Sequence, residues 1–471
     1  MPYIRILRHY VHAPVVWMSV TEGIIAAVAA YFGFLTRYQT FPDFLAFLPS
    51  ALTFGLVAFA AMTAMGVYES RVREGMLGMA LRTAVAIFLL AIAGNAILFY
   101  LIPVLEMGRG VLFFSAVEVF ILLTIFRWIF FSIANEDLFK IRVLVLGTGH
   151  RAKKLASRMR RRYDQRAFHL LGFMALASST ESDQVSPYGA TVIHSDLDIP
   201  GYCREYQVDE VVVAMDERRR NLDAAGGLPL DQLIECRLYG VNVCEIQQFI
   251  EREASKVDVD LLRPSWVVFS EGFVMTPSRA ITKRLFDLVA SSVLLLFTWP
   301  VMILISGLVK LETPHLPVLY RQQRVGLDGK IFNVVKFRSM RPVKDQTPVW
   351  TQQNDPRITR IGALIRKSHF DELPQLFTVL RGDMSFVGPR PERPVFVEEL
   401  REKIPFYNQR HRVKPGITGW AQLCYPYGAS VDDAKEKLQY DLYYLKNHSL
   451  LLDMIILLQT VEVVLIGKGA R

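Results

Sequence analysis

Residues 366–392 read RKSHFDELPQLFTVLRGDMSFVGPRPE, with two adjacent carboxylates, Asp371 and Glu372, set among the cations Arg366, Lys367, Arg381 and Arg390. Neighbouring residues of a helix point about 100° apart, so the two acids would not serve one atom equally. One can attack while the other holds a metal. Pro374 is tolerated in a first helical turn but not in a helix interior, which places the pair at a helix start, where the macrodipole favours negative charge. Taken alone, an Asp-Glu pair does no more than complement a helix N-terminus; the surrounding cations change that reading. Pro389 and Pro391 fix φ on either side of Arg390, so its guanidinium is offered from a stiff extended segment with little entropy left to lose. Glu392 follows directly.

Upstream, RQQRVGLDGKIFNVVKFRSMR (321–341) adds Arg321, Arg324, Lys330, Lys336, Arg338 and Arg341, and its alternation predicts a strand over Ile331–Phe337. NDPRITRIG (354–362) adds Asp355, Arg357 and Arg360. Many cations with few carboxylates indicate a phosphorylated substrate. Phosphoryl transfer asks mainly for placement and charge neutralisation. Arginine forks match phosphate oxygens in two-point contacts. A carboxylate can be the nucleophile, and magnesium takes one or two carboxylates with phosphate oxygens completing its shell.

Toward the N-terminus the chain turns apolar. Hydrophobic residues make up 52% of the 471, and mean hydropathy is +0.25. Four runs come near the ~20 residues that span a bilayer: Val15–Leu35, Phe44–Met65, Val85–Leu105 and Val111–Ala134. Arg5 and Arg8 precede the first run, Arg71, Arg73 and Arg82 fill the second loop, and Lys140 and Arg142 follow the last. Arg37 and Arg109 stand singly in the other loops. This bias puts the N-terminus and everything after residue 135 in the cytoplasm. Glu118 and Arg127 lie inside the fourth run, and Arg127 is expected to snorkel. The net charge of +9 then belongs to loops facing anionic lipid and not to nucleic-acid binding. Cys203, Cys236, Cys244 and Cys424 form no C-x-x-C pair, disulfide framework or zinc site. No cleavable signal peptide is expected.

Between Ile141 and Ile250 strands alternate with helices. Ile141–Leu146 reads as a buried parallel strand, Gly147 and Gly149 as a tight turn, Arg151–Arg162 as a helix, and His169–Ala175 and Glu210–Ala214 as further strands of a small doubly wound sheet. A strand followed by G-x-G can cradle a pyrophosphate, and Ala152 suits the third position. The acid that would hold a ribose hydroxyl is missing: the second strand runs into Leu176-Ala177-Ser178-Ser179. Classical NAD catalysis is set aside; a packing turn and a nucleotide site both stay open. Leu262–Ala280 reads as a connector. Leu285–Val309 is apolar and broken by Trp299-Pro300. Leu450–Ile466 is apolar but carries Asp453, Gln459 and Glu462, which predicts an amphipathic helix lying on the membrane.

From about Ile281 onward the chain resembles the bacterial polyprenyl-phosphate hexose-1-phosphate transferases, the monotopic phosphoglycosyl transferases. The stretches that carry the likeness are KRLFDLV, KFRSM, RITRIG, DELPQLFTVLRGDMSFVGPRP, KPGITGWAQ and YDLYYLKNHSLLLD. Spans followed by a degenerate Rossmann-like domain are similar to the large, exopolysaccharide-linked members. The resemblance implies a membrane α-helical bundle (1–137), an α/β Rossmann-like domain (138–262), a connector (263–280) and an α+β phosphoglycosyl transferase domain (281–471) with a re-entrant membrane helix (285–309) kinked at Pro300. It implies that Asp371 attacks the β-phosphate of a UDP-sugar, releases UMP and passes the phosphosugar to polyprenyl phosphate, with Mg2+ on Glu372. Lys336, Arg338, Arg357 and Arg390 match family positions that would contact phosphate, joined by Arg366, Arg381, Pro389, Pro391 and Glu392. Ser368-His369-Phe370 departs from the family pattern, in which a small polar residue and leucine are more common there; His369 is read as structural. Glucose and galactose are the first sugar candidates, and the large architecture is compatible with a homodimer.

The same resemblance implies a multi-pass protein of the bacterial inner membrane with its catalytic domain cytoplasmic; Lys283 and Arg284 at one end of the proline-broken helix and Lys310 at the other favour both ends on the cytoplasmic face. Two rivals differ in class. A membrane-anchored sugar-nucleotide dehydratase or epimerase needs a Tyr-x-x-x-Lys pair, and no tyrosine here has a lysine four residues on. An inactive scaffold of polysaccharide export would not need the intact Asp371-Glu372.

Overall fold

The computed structural model describes residues 3–6, 8–68, 76–133, 140–159, 167–175, 191–194, 198–216, 228–262, 272–273, 275–342, 356–425, 428 and 430–466. Arg71, Arg73, Asp355 and most of the connector therefore lie outside the described residues. The chain opens with an antiparallel hairpin, β1 (Tyr3–Ile6) and β2 (His9–His12). Four apolar stretches follow: α1 (Ala13–Tyr38), α2 (Phe44–Ala64), α3 (Met76–Ala84) running through a π-helical Val85–Ala91 into α4 (Ile92–Leu101), and α5 (Arg109–Ile133). All four are long and apolar enough to cross a membrane. They pack through small residues. Ala26, Ala29 and Ala30 of α1 and Ala51 and Ala58 of α2 are fully buried, and a Cβ on Gly33 would lie 2.2 Å from Ser115 Oγ of α5. Close helix approach of this kind replaces the hydrophobic driving force that lipid does not supply.

Two expectations fail in this bundle. The third helix starts at Met76 and not near Val85. It carries Arg82, whose Nη1 donates 2.7 Å to Glu462 Oε1 and 2.7 Å to the Met65 carbonyl. Arg127 does not snorkel either. Its Nε and Nη2 donate 2.5 Å each to the two oxygens of Glu22, an acid of α1 that the sequence reading passed over. Glu118 accepts from Thr36 Oγ1 at 2.6 Å.

The middle region holds five parallel strands: β3 (Ile141–Leu146), β4 (Phe168–Met174), β5 (Val192–Ile193), β6 (Glu210–Val213) and β7 (Asn242–Glu245), in the order β5-β4-β3-β6-β7. Alternation along β3 sends Val143 and Val145 against α6 (His150–Arg158) and α9 (Ile246–Ala254), and Leu144 and Leu146 against α7 (Ile199–Glu205) and α8 (Leu230–Leu238). Helices thus cover both faces, as near-continuous apolar strands require. Cys203 and Cys236 are buried with their sulfurs 4.0 Å apart, and all four cysteines are free.

The last region begins with α10 (Pro277–Glu312), a helix that continues through Pro300 rather than breaking there. The hairpin β8 (Leu319–Val325) and β9 (Ile331–Phe337) follows, then α11 (Arg360–Lys367), α12 (Gln375–Arg381) and β10 (Ser385–Val387). Beyond these come α13 (Pro394–Lys403), β11 (Gly416–Thr418, parallel to β10), α14 (Trp420–Cys424), α15 (Val431–Asn447) and α16 (Leu450–Ile466). The polar residues of α16 face protein. Asp453 accepts from Lys283 Nζ at 2.8 Å and from the Tyr444 hydroxyl at 2.6 Å, and Glu462 holds Arg82. The amphipathic surface helix expected there is instead a joint between the bundle and the last region. The hairpin at the start of the chain makes a second joint: Tyr3 donates to Glu253 at 2.8 Å, and His9 Nδ1 lies 2.9 Å from the Tyr443 hydroxyl.

Candidate active site

Asp371 and Glu372 occupy a single 3-10 turn, Phe370–Glu372, between the end of α11 and the start of α12. Each flanking element is pinned. Glu312, at the end of α10, accepts from Arg360 N at 2.8 Å and Ile361 N at 3.1 Å, and Thr359 Oγ1 accepts from Gly362 N at 2.9 Å, so the first turn of α11 is capped twice. A Cβ on Gly362 would lie 2.1 Å from the Ser339 carbonyl, which explains why RITRIG must close on a glycine against KFRSM. At the far end of α12, Arg284 donates 2.7 Å to each of the Val379 and Leu380 carbonyls. His369 joins α11 to the turn in the left-handed region, φ 58°, a conformation histidine tolerates better than branched residues do. Its contribution is this backbone corner, consistent with a structural reading.

The turn directs both carboxylates toward β9. Lys336 Nζ donates 2.5 Å and Arg390 Nη2 donates 2.8 Å to the same oxygen, Glu372 Oε1. Asp371 takes no hydrogen bond among the described residues. Burial pushes the Glu372 carboxyl up, but Arg390 and Lys336 overcome it and hold it well below the usual glutamate range. For Asp371 burial prevails: together with repulsion from Glu372 it outweighs the pull of Lys336, Arg390 and Arg366, and the carboxyl sits above the ordinary range. Two adjacent acids pushed in opposite directions are the usual mark of divided roles.

The Pro-Arg-Pro unit is held from behind. Arg410 Nη2 donates 3.0 Å to the Arg390 carbonyl while its own guanidinium is fixed 2.8 Å from Asp441. Arg324 Nη1 donates 3.1 Å to the Pro391 carbonyl and lies 3.5 Å from Glu392, whose carbonyl accepts from Val325 N at 2.9 Å. The Pro389 carbonyl accepts from Gly416 N at 3.0 Å. A Cβ on Gly416 or Gly419 would strike Gly388 backbone at 2.1–2.2 Å, so SFVGPRP and KPGITGW are two halves of one glycine-lined contact. Asp287 of α10 secures β10 through Ser385 Oγ at 2.8 Å and Phe386 N at 2.9 Å.

Of the residues singled out from sequence, Lys336 and Arg390 touch the pair. Arg366 acts on Asp371 through its charge and sets Nη1 3.2 Å from Met340 Sδ. Arg338 instead donates to the Pro317 carbonyl at 2.8 Å. The Arg357 carbonyl accepts from Arg341 N at 2.9 Å, alongside the site. Arg381 is exposed at the opposite end of α12, 4.0 Å from Asp383, and no described contact takes it to the pair. Glu392 faces Arg324. The sequence reading missed Arg410 and Asp441 as supports, along with the anchors Glu312, Arg284 and Asp287. A charged residue inside an apolar run, as Asp287 is, was the signal available.

Among the described residues no group of three or more acids, histidines and cysteines is placed to hold a metal. The pair itself still suits Mg2+, which takes only one or two carboxylates and draws the rest of its shell from phosphate and water. The donor chemistry fits, since Glu372 commits a single oxygen to its cations and Asp371 commits none.

Known proteins resemble the chain over the region that holds this site. Residues 278–467 match the bacterial sugar transferase family, and residues 63–221 match a CoA-binding domain family. A UDP-N-acetylgalactosamine-undecaprenyl-phosphate N-acetylgalactosaminephosphotransferase of Aeromonas hydrophila is 41% identical over 240 residues, 51% of this chain and 56% of the relative. An undecaprenyl-phosphate glucose phosphotransferase of Komagataeibacter xylinus is 34% identical over 338 residues, 70% of this chain and 60% of the relative. The exopolysaccharide production protein PSS of Rhizobium leguminosarum bv. phaseoli is 44% identical over 200 residues, which are 40% of this chain and 98% of that protein. The chain thus spans a little over half the length of the first two relatives and nearly all of the third.

Proposed function

The chain belongs to the bacterial sugar transferase family, and on that premise we propose that it transfers a hexose 1-phosphate from a UDP-sugar to polyprenyl (undecaprenyl) phosphate, the first membrane step of exopolysaccharide or other glycan assembly. The observation that carries this reading is the unbonded, raised Asp371 carboxylate beside a Glu372 whose Oε1 alone is held by Lys336 and Arg390. An Asp371 oxygen attacks the β-phosphorus of the UDP-sugar. The bond from that phosphorus to the bridging oxygen breaks, UMP leaves, and an aspartyl-phosphosugar remains. A phosphate oxygen of polyprenyl phosphate then attacks the same phosphorus, and Asp371 departs as carboxylate. Lys336, Arg390 and Arg366 neutralise the phosphoryl oxygens throughout. Mg2+, held by Glu372, would supply further charge neutralisation at the diphosphate.

The topology follows from α10. Its first half is tied to the catalytic region by Lys283 and Asp287, and its second half packs Ile305 and Val309 against Phe337 and Ile365. Between them Leu296, Phe297, Trp299, Ile303 and Leu304 are exposed and apolar. Both ends grip one body, which supports a helix that enters the inner membrane and returns to the cytoplasmic face by bending, without a break, at Pro300, which lacks the backbone donor of a helix interior. The middle sheet, order 3-2-1-4-5 in its own strands, supports a Rossmann-like domain.

A homodimer is supported by α8. Leu230, Ile234 and Leu238, one stripe at i, i+4, i+8, are 56%, 56% and 81% exposed. A two-fold axis through Ile234 sets Leu230 against the partner's Leu238 and Asp231 against the partner's Arg237, so apolar and charged positions both become self-complementary.

The test is UMP release from UDP-glucose, UDP-galactose and UDP-N-acetylgalactosamine with undecaprenyl phosphate, with and without Mg2+. Release with at least one sugar is expected, together with a trapped phosphosugar adduct that Asp371→Asn abolishes. No UMP from any sugar sinks the reading. Periplasmic thiol labelling of a cysteine placed beside Lys310 in intact cells would sink the topology.

A further inference from the structure

In doubly wound sheets phosphorylated ligands sit at the strand-order reversal, on the amides that open the first helix. Here that place is the crevice between β3 and β6, below Gly147-Thr148-Gly149 and the start of α6. The family matching residues 63–221 is named for coenzyme A, whose diphosphate is a ligand of this kind. The residues do not fit it. Asp216, just beyond β6, reaches across the crevice and gives one carboxylate oxygen to each of the amides a diphosphate needs: Oδ2 lies 2.5 Å from His150 N and Oδ1 2.8 Å from Arg151 N. The glycine turn has a packing duty in its place. Gly147 has φ 108°, and a Cβ there would lie 3.1 Å from the Ala214 carbonyl and from Met215 N.

We propose that Asp216 is a built-in anion that closes the ligand crevice of the middle domain, which binds no diphosphate-bearing cofactor and works as a strut. The helix it pins is tied at its other end to the catalytic region. Arg158 contacts Gln439 of α15 at 3.1 Å, and Lys154 Nζ lies 2.5 Å from Asp260 of the same middle domain, which in turn lies 2.5 Å from Lys435 of α15. From α15, Asp441 holds Arg410, which holds the Arg390 backbone. A contact series therefore runs from Asp216 to the Pro-Arg-Pro unit. In a ligand-responsive domain α6 would be the element free to adjust; in this chain it is fixed from both sides.

Two measurements on the full chain in detergent micelles decide the matter, and neither depends on the proposed transfer reaction. Coenzyme A and NAD are titrated by calorimetry, with UDP present to occupy the catalytic site; no saturable binding is expected up to millimolar concentration. Hydrogen exchange is then followed at His150 and Arg151, whose amides are expected to exchange at least about tenfold more slowly in the native protein than in Asp216→Ala, since each donates to a charged acceptor. Saturable binding of either cofactor by the native protein, or equal exchange in the two proteins, overturns the proposal. If Asp216→Ala does not fold, the titration of the native protein still decides.

Discussion

Glu22 in the membrane bundle and Glu372 in the catalytic region each meet an arginine, yet one cluster is sealed and the other is left open. Glu22 gives both oxygens to Arg127; Thr83 and Tyr68 take up further capacity, and the two side chains are 0% and 3% exposed. Glu372 spends one oxygen on two cations, and the Arg390 side chain stays 46% exposed. Lysine offers three donors and arginine five, so two cations on one oxygen leave donors to spare. The same chemical pair cements a helix contact when donors and acceptors balance, and leaves donors open to a further acceptor when cations exceed the acceptors they share.

The largest effect that could break this contrast is at Asp371. Asp371→Asn is expected to lower UMP release on the order of 10^4-fold or more, as removal of a nucleophile does. Stability should not fall. A carboxyl raised in the folded state carries a penalty that is present above its folded pKa and gone below its unfolded one, so at neutral pH the amide should unfold at an equal or higher temperature. A lower Tm would show that Asp371 holds structure. The acid limb of kcat/KM in the native enzyme should lie above the ordinary aspartate range for the same reason.

Glu372→Gln should cost both activity and stability, the latter by roughly 3 kcal/mol, because Lys336 and Arg390 lose their shared charge. The carboxyl is depressed when folded, so its stabilisation is present above the unfolded glutamate pKa and disappears as pH falls through the folded value. Chemical denaturation of the two proteins at neutral and strongly acidic pH should therefore diverge and then converge. Glu22→Gln should cost a similar roughly 3 kcal/mol of stability and leave kcat unchanged in the molecules that stay folded; a matching loss of kcat would erase the distinction between the clusters. The smallest effect on turnover is expected from Ile234→Arg, which should convert a dimer to a monomer by light scattering and leave UMP release as it was.

Local pattern was enough for β3 and β9, whose bounds, Ile141–Leu146 and Ile331–Phe337, come directly from apolar runs and alternation. It was enough to bring Asp371, Glu372 and Arg390 into one proposal, because proline and arginine spacing reports on stiffness and charge; Lys336 stood out from its neighbouring cations only through the family resemblance. It failed wherever a partner lies far along the chain. Arg82 looked like a loop cation and Glu462 like the polar face of a surface helix, since each explains the other only across 380 positions. Glu22 was passed over in an apolar run because Arg127 is 105 residues away. Asp216 carried no motif at all; only the fold puts it over the G-x-G turn. Arg381 and Glu392 sat close to the pair in sequence, yet one extends to the far end of α12 and the other turns to Arg324.

The opening hairpin has a consequence for how the molecule is made. His9 finds the Tyr443 hydroxyl 434 positions later, so at 5–20 residues per second a newly made His9 waits on the order of 20–90 s for its partner to leave the ribosome. During that interval the bundle can insert and the middle sheet can close, but the joint that seats the catalytic region stays unmade. Biogenesis itself thus acts as a timer, and interrupted synthesis leaves the membrane with an anchor that lacks this seal.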